Sequence, residues 1–444
     1  MRLPVDAGDI IKPFQNLWRF PSVISLAYGN TTLTLDTSTL PRHDVLLPHP
    51  PAAIGPAHLA GALIKAVSAP DSAPPLAALA ARAGSACIVV SDKTRNYGQA
   101  LLLPPLLDHL NEAGMADERI TVLIGNGTHE NHSDKEKAAL LGEDVLRRVR
   151  VSDHDADDPD ANISLGATPA GTPVMLNRML MDADLKIITG GVTHHYYAGF
   201  TGGRKGIMPG CAARATIEAN HSRVLQADGT PHPRAAAGVL HGNPVHEDML
   251  AAARMVDNVF LINAVTGDHG APAALFAGDL EAAHAQAAAL ARACYEVPIE
   301  KQYDCVIASC GGAPRDMSFY QAHKSYNNAF AACRPGGAII LVAECAAGLG
   351  PQGFADWFAL KSPWAIAQKL RARYAVPGQT AMATLRKAAA ARTILVSALP
   401  PALVRLMNMA HADSLETALA MHGREPGAAA VMPQAAYTVP ALGA

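Results

Sequence analysis

Residues 194–210 hold the densest run of chemically useful side chains, His194-His195-Tyr196-Tyr197-Ala198-Gly199-Phe200-Thr201-Gly202-Gly203-Arg204-Lys205-Gly206-Ile207-Met208-Pro209-Gly210. Paired glycines beside Arg204-Lys205 let backbone N–H groups and cations approach an anion. The spacing is not the GxxxxGK[ST] of a Walker A loop, and a structural turn with a solvated lysine is the plainer alternative. Three more polar clusters stand out: Ser91-Asp92-Lys93-Thr94-Arg95, Gly125-Asn126-Gly127-Thr128-His129 and Ser309-Cys310-Gly311-Gly312. Histidines such as His129 and His195 suit proton transfer near neutral pH. An arginine such as Arg95 can grip a carboxylate with two parallel hydrogen bonds. Farther on, residues 212–226 read as a helix with Arg214, Glu218 and His221 near one face.

Each cluster follows a short apolar run: 86–90, 120–124, 185–188 and 305–308. Similar runs occur at 259–262, 338–342 and 393–396, separated by Ala/Leu-rich stretches such as 62–69 and 104–113 that read as helices. Continuous apolar strands alternating with helices indicate an α/β fold with largely parallel sheets covered on both faces. Such sheets bind ligands beyond the carboxyl ends of their strands, so the four polar loops are expected to converge on one crevice. Residues 23–36 alternate around Gly29-Asn30 and predict a hairpin.

A chain of 444 residues exceeds one ordinary domain. The Ala-rich helix over 279–293 is a natural connector, giving a first domain over 1–294 and a second over 295–419, with the tail 420–444 packing back on the first. Half the residues are hydrophobic and 17% charged, with a net charge of -3 and no basic stripe, which argues against nucleic acid or a membrane surface as partner. The seven cysteines show no CxxC spacing, so a disulfide framework or zinc ribbon is not expected and a reducing cytoplasm fits. Met1 to Asp6 carry no apolar signal-peptide core.

Taken together, Asp92-Lys93-Thr94-Arg95, Gly127-Thr128-His129, His195 through Lys205, Asn220-His221 and Tyr320-Gln321-Ala322-His323-Lys324 resemble, in order and spacing, the nickel-dependent lactate racemases. The resemblance runs from about Asp44 to about Gly350 and implies two α/β domains with the site in the cleft between them. It implies a nickel-pincer nucleotide, a pyridinium bis-thio-acid mononucleotide holding Ni(II), attached to Lys205, with His221 as the protein's nickel ligand. By the same resemblance His129 and His195 are the catalytic acid/bases, and Asp92, Lys93, Thr94 and Arg95 form a cofactor-binding turn. Arg95, Tyr320, Gln321 and Lys324 hold the substrate. The implied reaction inverts C2 of a 2-hydroxy acid by reversible hydride transfer through a 2-keto acid, with proteins of cofactor biosynthesis as partners.

His194 beside His195 leaves that assignment ambiguous, since neighbours on an extended segment point opposite ways. Tyr196 and Tyr197, where relatives carry apolar aromatics, suggest a substrate more polar than lactate. Trp357, Phe358 and Trp364 are either pocket walls or core. A protein that binds a nucleotide or organic acid without racemising it is the alternative. A zinc hydrolase is disfavoured because no HExxH or similar spacing occurs.

Overall fold

The structure is a computed structural model that describes residues 22–40, 42–267, 270–423 and 427–443; the opening segment lies outside them. A hairpin, β1 (Val23–Tyr28) and β2 (Thr31–Asp36), precedes the short β3 (His43–Val45). Then come β4 (Ala86–Ser91), β5 (Ile120–Gly125) and β6 (Arg150–Asp153), followed by a second hairpin of β7 (Asn162–Ala167) and β8 (Pro173–Asn177). β9 (Leu185–Gly191) leads into a two-residue ribbon, β10 (His194–His195) with β11 (Gly199–Phe200). β12 (Val259–Thr266) and β13 (Pro272–Gly278) close the first half. The second half holds β14 (Glu296–Ile299), β15 (Tyr303–Ser309), β16 (Cys333–Val342), β17 (Arg392–Val396), β18 (Ala410–Ala412), β19 (Ala429–Met432) and β20 (Val439–Leu442).

Two six-stranded sheets organise these strands, in the orders β13-β12-β9-β4-β5-β6 and β18-β17-β16-β15-β19-β3. All neighbours are parallel except β13, which runs antiparallel to β12 at the edge of the first sheet. The apolar runs therefore form strands buried on both faces, as in Ile88-Val89-Val90 and Val306-Ile307-Ala308. Each buried Val, Ile or Leu contributes about 1.5–3 kcal/mol, which fixes the sheets and with them the loops at their ends.

The expected hairpin is present, but the ends of the chain belong elsewhere than expected. β3 pairs with β19 in the second sheet, and Leu26 and Leu35 of the first hairpin pack on Cys305, Ile307 and Ile340. The tail, expected on the first domain, instead supplies β19 to the second sheet and β20 to β14. A strand between β15 and β3 satisfies backbone groups that a tail laid on a helical face would leave unpaired. The seven cysteines are free and buried. Among the described residues, no helix is long and apolar enough to cross a membrane.

Candidate active site

In the first sheet, β4 lies between β9 and β5, so the chain departs to opposite sides from neighbouring strands. The loops after β4, β5 and β9 leave the same sheet edge at this switch, where a crevice forms. They carry Asp92 to Arg95, Asn126 to His129, and the ribbon with the lysine turn. The fourth expected loop does not join them. Ser309 Oγ donates to the Ala27 carbonyl at 2.6 Å and Ala313 N–H to the Gly29 carbonyl at 2.9 Å, so that loop is spent on the first hairpin.

Asp92 is buried and its carboxylate is fully employed. Oδ1 accepts from the Thr94 hydroxyl at 2.7 Å and backbone N–H at 3.2 Å, and Oδ2 lies 2.5 Å from His129 Nδ1. Burial alone would raise this carboxyl. The His129 hydrogen bond, the charges of His129 and Arg95 and the Thr94 hydroxyl outweigh it, and Asp92 is pushed down to about 2. An ionised Asp92 can only accept, so His129 Nδ1 donates and its Nε2 lone pair is left free. Asp92 and Thr94, expected in a cofactor-binding turn, thus orient a histidine. Lys93 is spent as well: its ammonium pairs with Glu136 on the surface helix Asp134–Leu141. Arg95 makes no ion pair among the described residues.

His195 has the opposite arrangement. Its Nδ1 accepts the Ala198 backbone N–H at 3.2 Å, which places the ring hydrogen of the neutral imidazole on Nε2. Burial, with the charges of Lys205, Arg95, His221 and Lys324, holds it well below the usual histidine range, so the neutral form prevails. His194 points away, with Nε2 3.0 Å from Glu296 Oε1 and its ring 4.6 Å from that of Phe200, which makes it structural.

Lys205 sits in the tight turn Gly203–Gly206, where backbones approach closely. A Cβ on Gly203 (φ +54) would lie 2.7 Å from the His284 ring, and one on Gly210 would lie 2.3 Å from the Gly206 carbonyl oxygen. Neither place admits a side chain. Burial and the charges of Arg95 and Arg204 hold the Lys205 amine well below the usual lysine range. His221, the last residue of the helix Arg214–His221, is 4% exposed and its Nδ1 has no hydrogen-bond partner among the described residues. Burial and Lys205 push it down to about 3 against an opposing pull from the Ile217 carbonyl.

That helix is held from behind by Asp248, a residue no sequence motif marked. Asp248 accepts from Thr168 Oγ1 at 2.5 Å, Thr172 Oγ1 at 2.8 Å and Asn220 Nδ2 at 2.9 Å, with Arg223 Nε at 3.0 Å. Asp248→Ala takes the acceptor from the buried Thr168 and Thr172 hydroxyls and the counter-charge from Arg223, while Asn220 keeps the Val245 carbonyl, and is expected to cost about 3 kcal/mol, read as a lower urea midpoint at constant slope. A loss under about 1 kcal/mol would remove Asp248 from this role.

From the second sheet, the helix Phe319–Ala332 presents Tyr320, Gln321 and Lys324. Lys324 Nζ donates to Gln321 Oε1 at 3.0 Å, and its ammonium is pushed down by the surrounding protein and by Arg95 although it remains open to solvent. The charge of Arg95 also reaches Tyr320, Tyr197, His195 and Lys205. The site thus joins both halves of the chain around Arg95. Tyr374 closes it over His221 at 6.5 Å between ring centroids, its buried hydroxyl without a hydrogen-bond partner among the described residues. The Tyr196 hydroxyl, expected to face substrate, donates to Gln379 Oε1 at 2.6 Å. Phe358 is core, Trp357 packs on Gly378 and Trp364 is exposed, so none of the three is a demonstrated pocket wall.

Behind the lysine turn, burial and the Arg204 guanidinium push both His284 and His246 down to about 3. Their folded values lie below the unfolded 6.5, so the stability they contribute is complete above pH 6.5 and is lost as pH falls toward 3. Stability should fall by about 1.4 kcal/mol per pH unit per histidine over that window. Urea midpoints of the wild type and of His284→Gln between pH 7 and pH 4 check this, the variant showing the shallower slope.

Comparisons with known proteins place the chain among its relatives. The family model described as the lactate racemase N-terminal domain matches residues 28–231, and that of the lactate racemase C-terminal domain matches residues 299–434. A protein named lactate racemase from Thermoanaerobacterium thermosaccharolyticum is 35% identical over 287 residues, 64% of this chain and 66% of that protein. Another so named, from Lactiplantibacillus plantarum, is 35% identical over 267 residues, 60% of this chain and 62% of that protein. The matched stretch thus spans just under two thirds of these curated relatives. The solved lactate racemase apoprotein from T. thermosaccharolyticum superposes with a TM-score of 0.85 at 28% identity, covering 94% of this chain and 100% of that one. A Thermotoga maritima protein shares the fold, with a TM-score of 0.66 at 18% identity, covering 89% of this chain and 100% of that one. Matched in both halves, the chain belongs to the lactate racemase family.

Proposed function

We propose that the protein inverts C2 of a 2-hydroxy acid, lactate first among them, through the planar 2-keto acid. One observation carries this reading: the two active-site histidines are held in complementary states. His129 offers a free Nε2 lone pair backed by Asp92, and His195 offers an Nε2 hydrogen. Inversion needs an acceptor for the hydroxyl proton and a donor facing the planar intermediate's oxygen: His129 takes the proton and gives it back as the imidazolium, and the neutral His195 Nε2–H hydrogen-bonds the carbonyl oxygen without losing its hydrogen. Arg95 and Lys324 hold the carboxylate, and Gln321, already bonded to Lys324, extends that grip. With the Tyr196 hydroxyl bound to Gln379, nothing at that position favours a polar substrate over lactate.

The chain's residues fit the nickel-pincer nucleotide that the family resemblance implies. His221 has a buried ring nitrogen without a hydrogen-bond partner among the described residues and stays neutral, as a metal ligand must. Among the described residues, no three His, Cys, Asp or Glu side chains gather as a metal site, so His221 would serve as one ligand beside donors from an organic group. Lys205 would anchor that group, and the cations around it suit its phosphate and acid groups. When bound, the cofactor would supply a reversible acceptor for the C2 hydrogen and its electron pair, which no side chain can provide. Arg95 would stand between cofactor and substrate carboxylate, and the cofactor-synthesis proteins would be partners in a reducing cytoplasm.

The test is inversion of chiral 2-hydroxy acids in deuterated water by protein co-produced with the cofactor-synthesis enzymes. Inverted lactate that keeps its hydrogen on C2 is expected. Extensive deuterium at C2 would replace this reading with simple proton abstraction, and no inversion of any acid by nickel-loaded protein would end it.

A further inference from the structure

Two loops must keep their spacing for Asp92 to meet His129, and one carboxylate, that of Asp153, is tied to both. Asp153 ends β6, the strand beside β5, and the side chains of Asp153 and His132 are 6% and 1% exposed. Asp153 Oδ1 lies 2.7 Å from His132 Nδ1 and accepts from the His132 backbone N–H at 3.3 Å and from Asn126 Nδ2 at 3.0 Å. Its Oδ2 holds Lys137 Nζ at 2.9 Å. Burial alone would raise this carboxyl, but the bonds from Lys137, Asn126 and His132 hold it below the usual carboxylate range. Asn126 begins the turn that ends at His129, whose backbone N–H donates to the Asn126 carbonyl at 3.0 Å. On the other loop, the Lys93 backbone N–H donates to His132 Nε2 at 3.1 Å. A backbone N–H can only donate, so His132 Nε2 is a bare acceptor and the ring hydrogen sits on Nδ1, toward Asp153.

We infer that His132, its tautomer set by Asp153, is a positioning residue: it pins the peptide after Asp92 and so keeps that carboxylate on His129 Nδ1. The inference rests on the reading of His129 as the base that takes the hydroxyl proton. Lys93 N belongs to the planar peptide leaving Asp92, so fixing that nitrogen fixes the Cα from which the carboxylate projects. The second hold on Lys93, its side-chain pair with Glu136, is exposed at both ends and contributes little. The buried bond to His132 therefore sets the register. Both histidines carry their hydrogen on Nδ1 against an aspartate, and they spend Nε2 differently. His129 keeps it free for substrate, whereas His132 gives it to the backbone beside Asp92. A base misplaced by about 1 Å can lose about 100-fold in rate, so this pin reaches turnover without touching substrate.

Tautomers can be read directly by nuclear magnetic resonance in the full, cofactor-free chain labelled with nitrogen-15 histidine, at a pH where imidazoles are neutral. The His129 and His132 signals are assigned by their loss in His129→Asn and His132→Gln. Both rings should carry their hydrogen on Nδ1 in the wild type. His132→Asn keeps an N–H for Asp153 but leaves Lys93 without its acceptor. His129 should then drift to a mixture of tautomers, and kcat for inversion by cofactor-loaded protein should fall about 10- to 100-fold. His132→Gln puts an amide oxygen where Nε2 stood and should restore most of both. A purely structural anchor would instead lower the urea midpoint of both variants and leave the His129 tautomer unmoved. His132→Leu, which removes both ring bonds, is measured alongside, and whichever disruptive variant keeps the wild-type circular dichroism decides the outcome. A wild-type His132 with its hydrogen on Nε2, a folded disruptive variant with an unmoved His129 tautomer, or a His132→Gln no better than His132→Asn overturns the inference. Any of these in a chain that still inverts a 2-hydroxy acid sinks this inference alone. A His129 tautomer that follows His132 in a chain that inverts none sinks only the proposed function.

Discussion

His129→Asn should lower kcat/KM for inversion by about 10²–10⁴-fold while the chain stays folded, the loss typical of a missing acid/base. Both directions should fall equally, because two enantiomers have the same free energy and the ratio of their kcat/KM values is one in any variant. The side chain is exposed on a strand-end loop, so its removal leaves no cavity. Asp92→Asn tests why the histidine works. An amide can offer an N–H to His129 Nδ1, which moves the ring hydrogen to Nε2 and removes the base. That variant should approach His129→Asn in activity, as when a triad aspartate is amidated and the histidine adopts the wrong tautomer. Chiral chromatography of lactate with cofactor-loaded protein measures both. An Asp92→Asn enzyme as fast as wild type would mean that the carboxylate does not set the tautomer, and a tenth or more of normal activity in His129→Asn would remove this histidine from the chemistry.

Much of the fold was legible because parallel strands covered on both faces must be continuous apolar runs, and seven such runs became β4, β5, β9, β12, β15, β16 and β17. What failed was long-range pairing. Alternation in residues 23–36 says that one face of a hairpin is buried but not against which sheet, and β3 is three residues long with its partner β19 near the other end of the chain. The candidate site divides in the same way. Residue types after strands pointed to His129, His195, Arg95 and Lys205, because the carboxyl edge of a sheet is where loops meet. Which atoms those residues spend on one another is set by tertiary contact. Lys93 turns outward to Glu136, Asp92 turns to His129, and His132 binds Asp153 at 2.7 Å. Tyr374 and Asp248 carried no signal: a lone tyrosine and a helical aspartate look like any others until the chain brings the one to His221 and the other to Asn220.

Lys205→Met should abolish inversion, a loss of about 10³-fold or more on the scale seen when a covalent group is removed, and yet leave the fold as stable as before or slightly more so. The two halves of that expectation have one cause. Lys205 has no acid partner among the described residues and is flanked by Arg95 and Arg204, so ionising it in the folded state works against both. A methionine of similar length fills the space without a charge, and the urea midpoint should hold or rise. Nickel per chain after gel filtration should fall toward zero in the variant even when the cofactor-synthesis enzymes are co-produced. His221→Asn should lower nickel too, but with some loss of stability because that ring is buried against Tyr197 and Tyr374. A residue retained for architecture would behave in reverse, weakening the fold in proportion to activity. If Lys205→Met unfolds early, or still inverts lactate with nickel bound, the lysine is a structural part of its turn and the anchoring role falls.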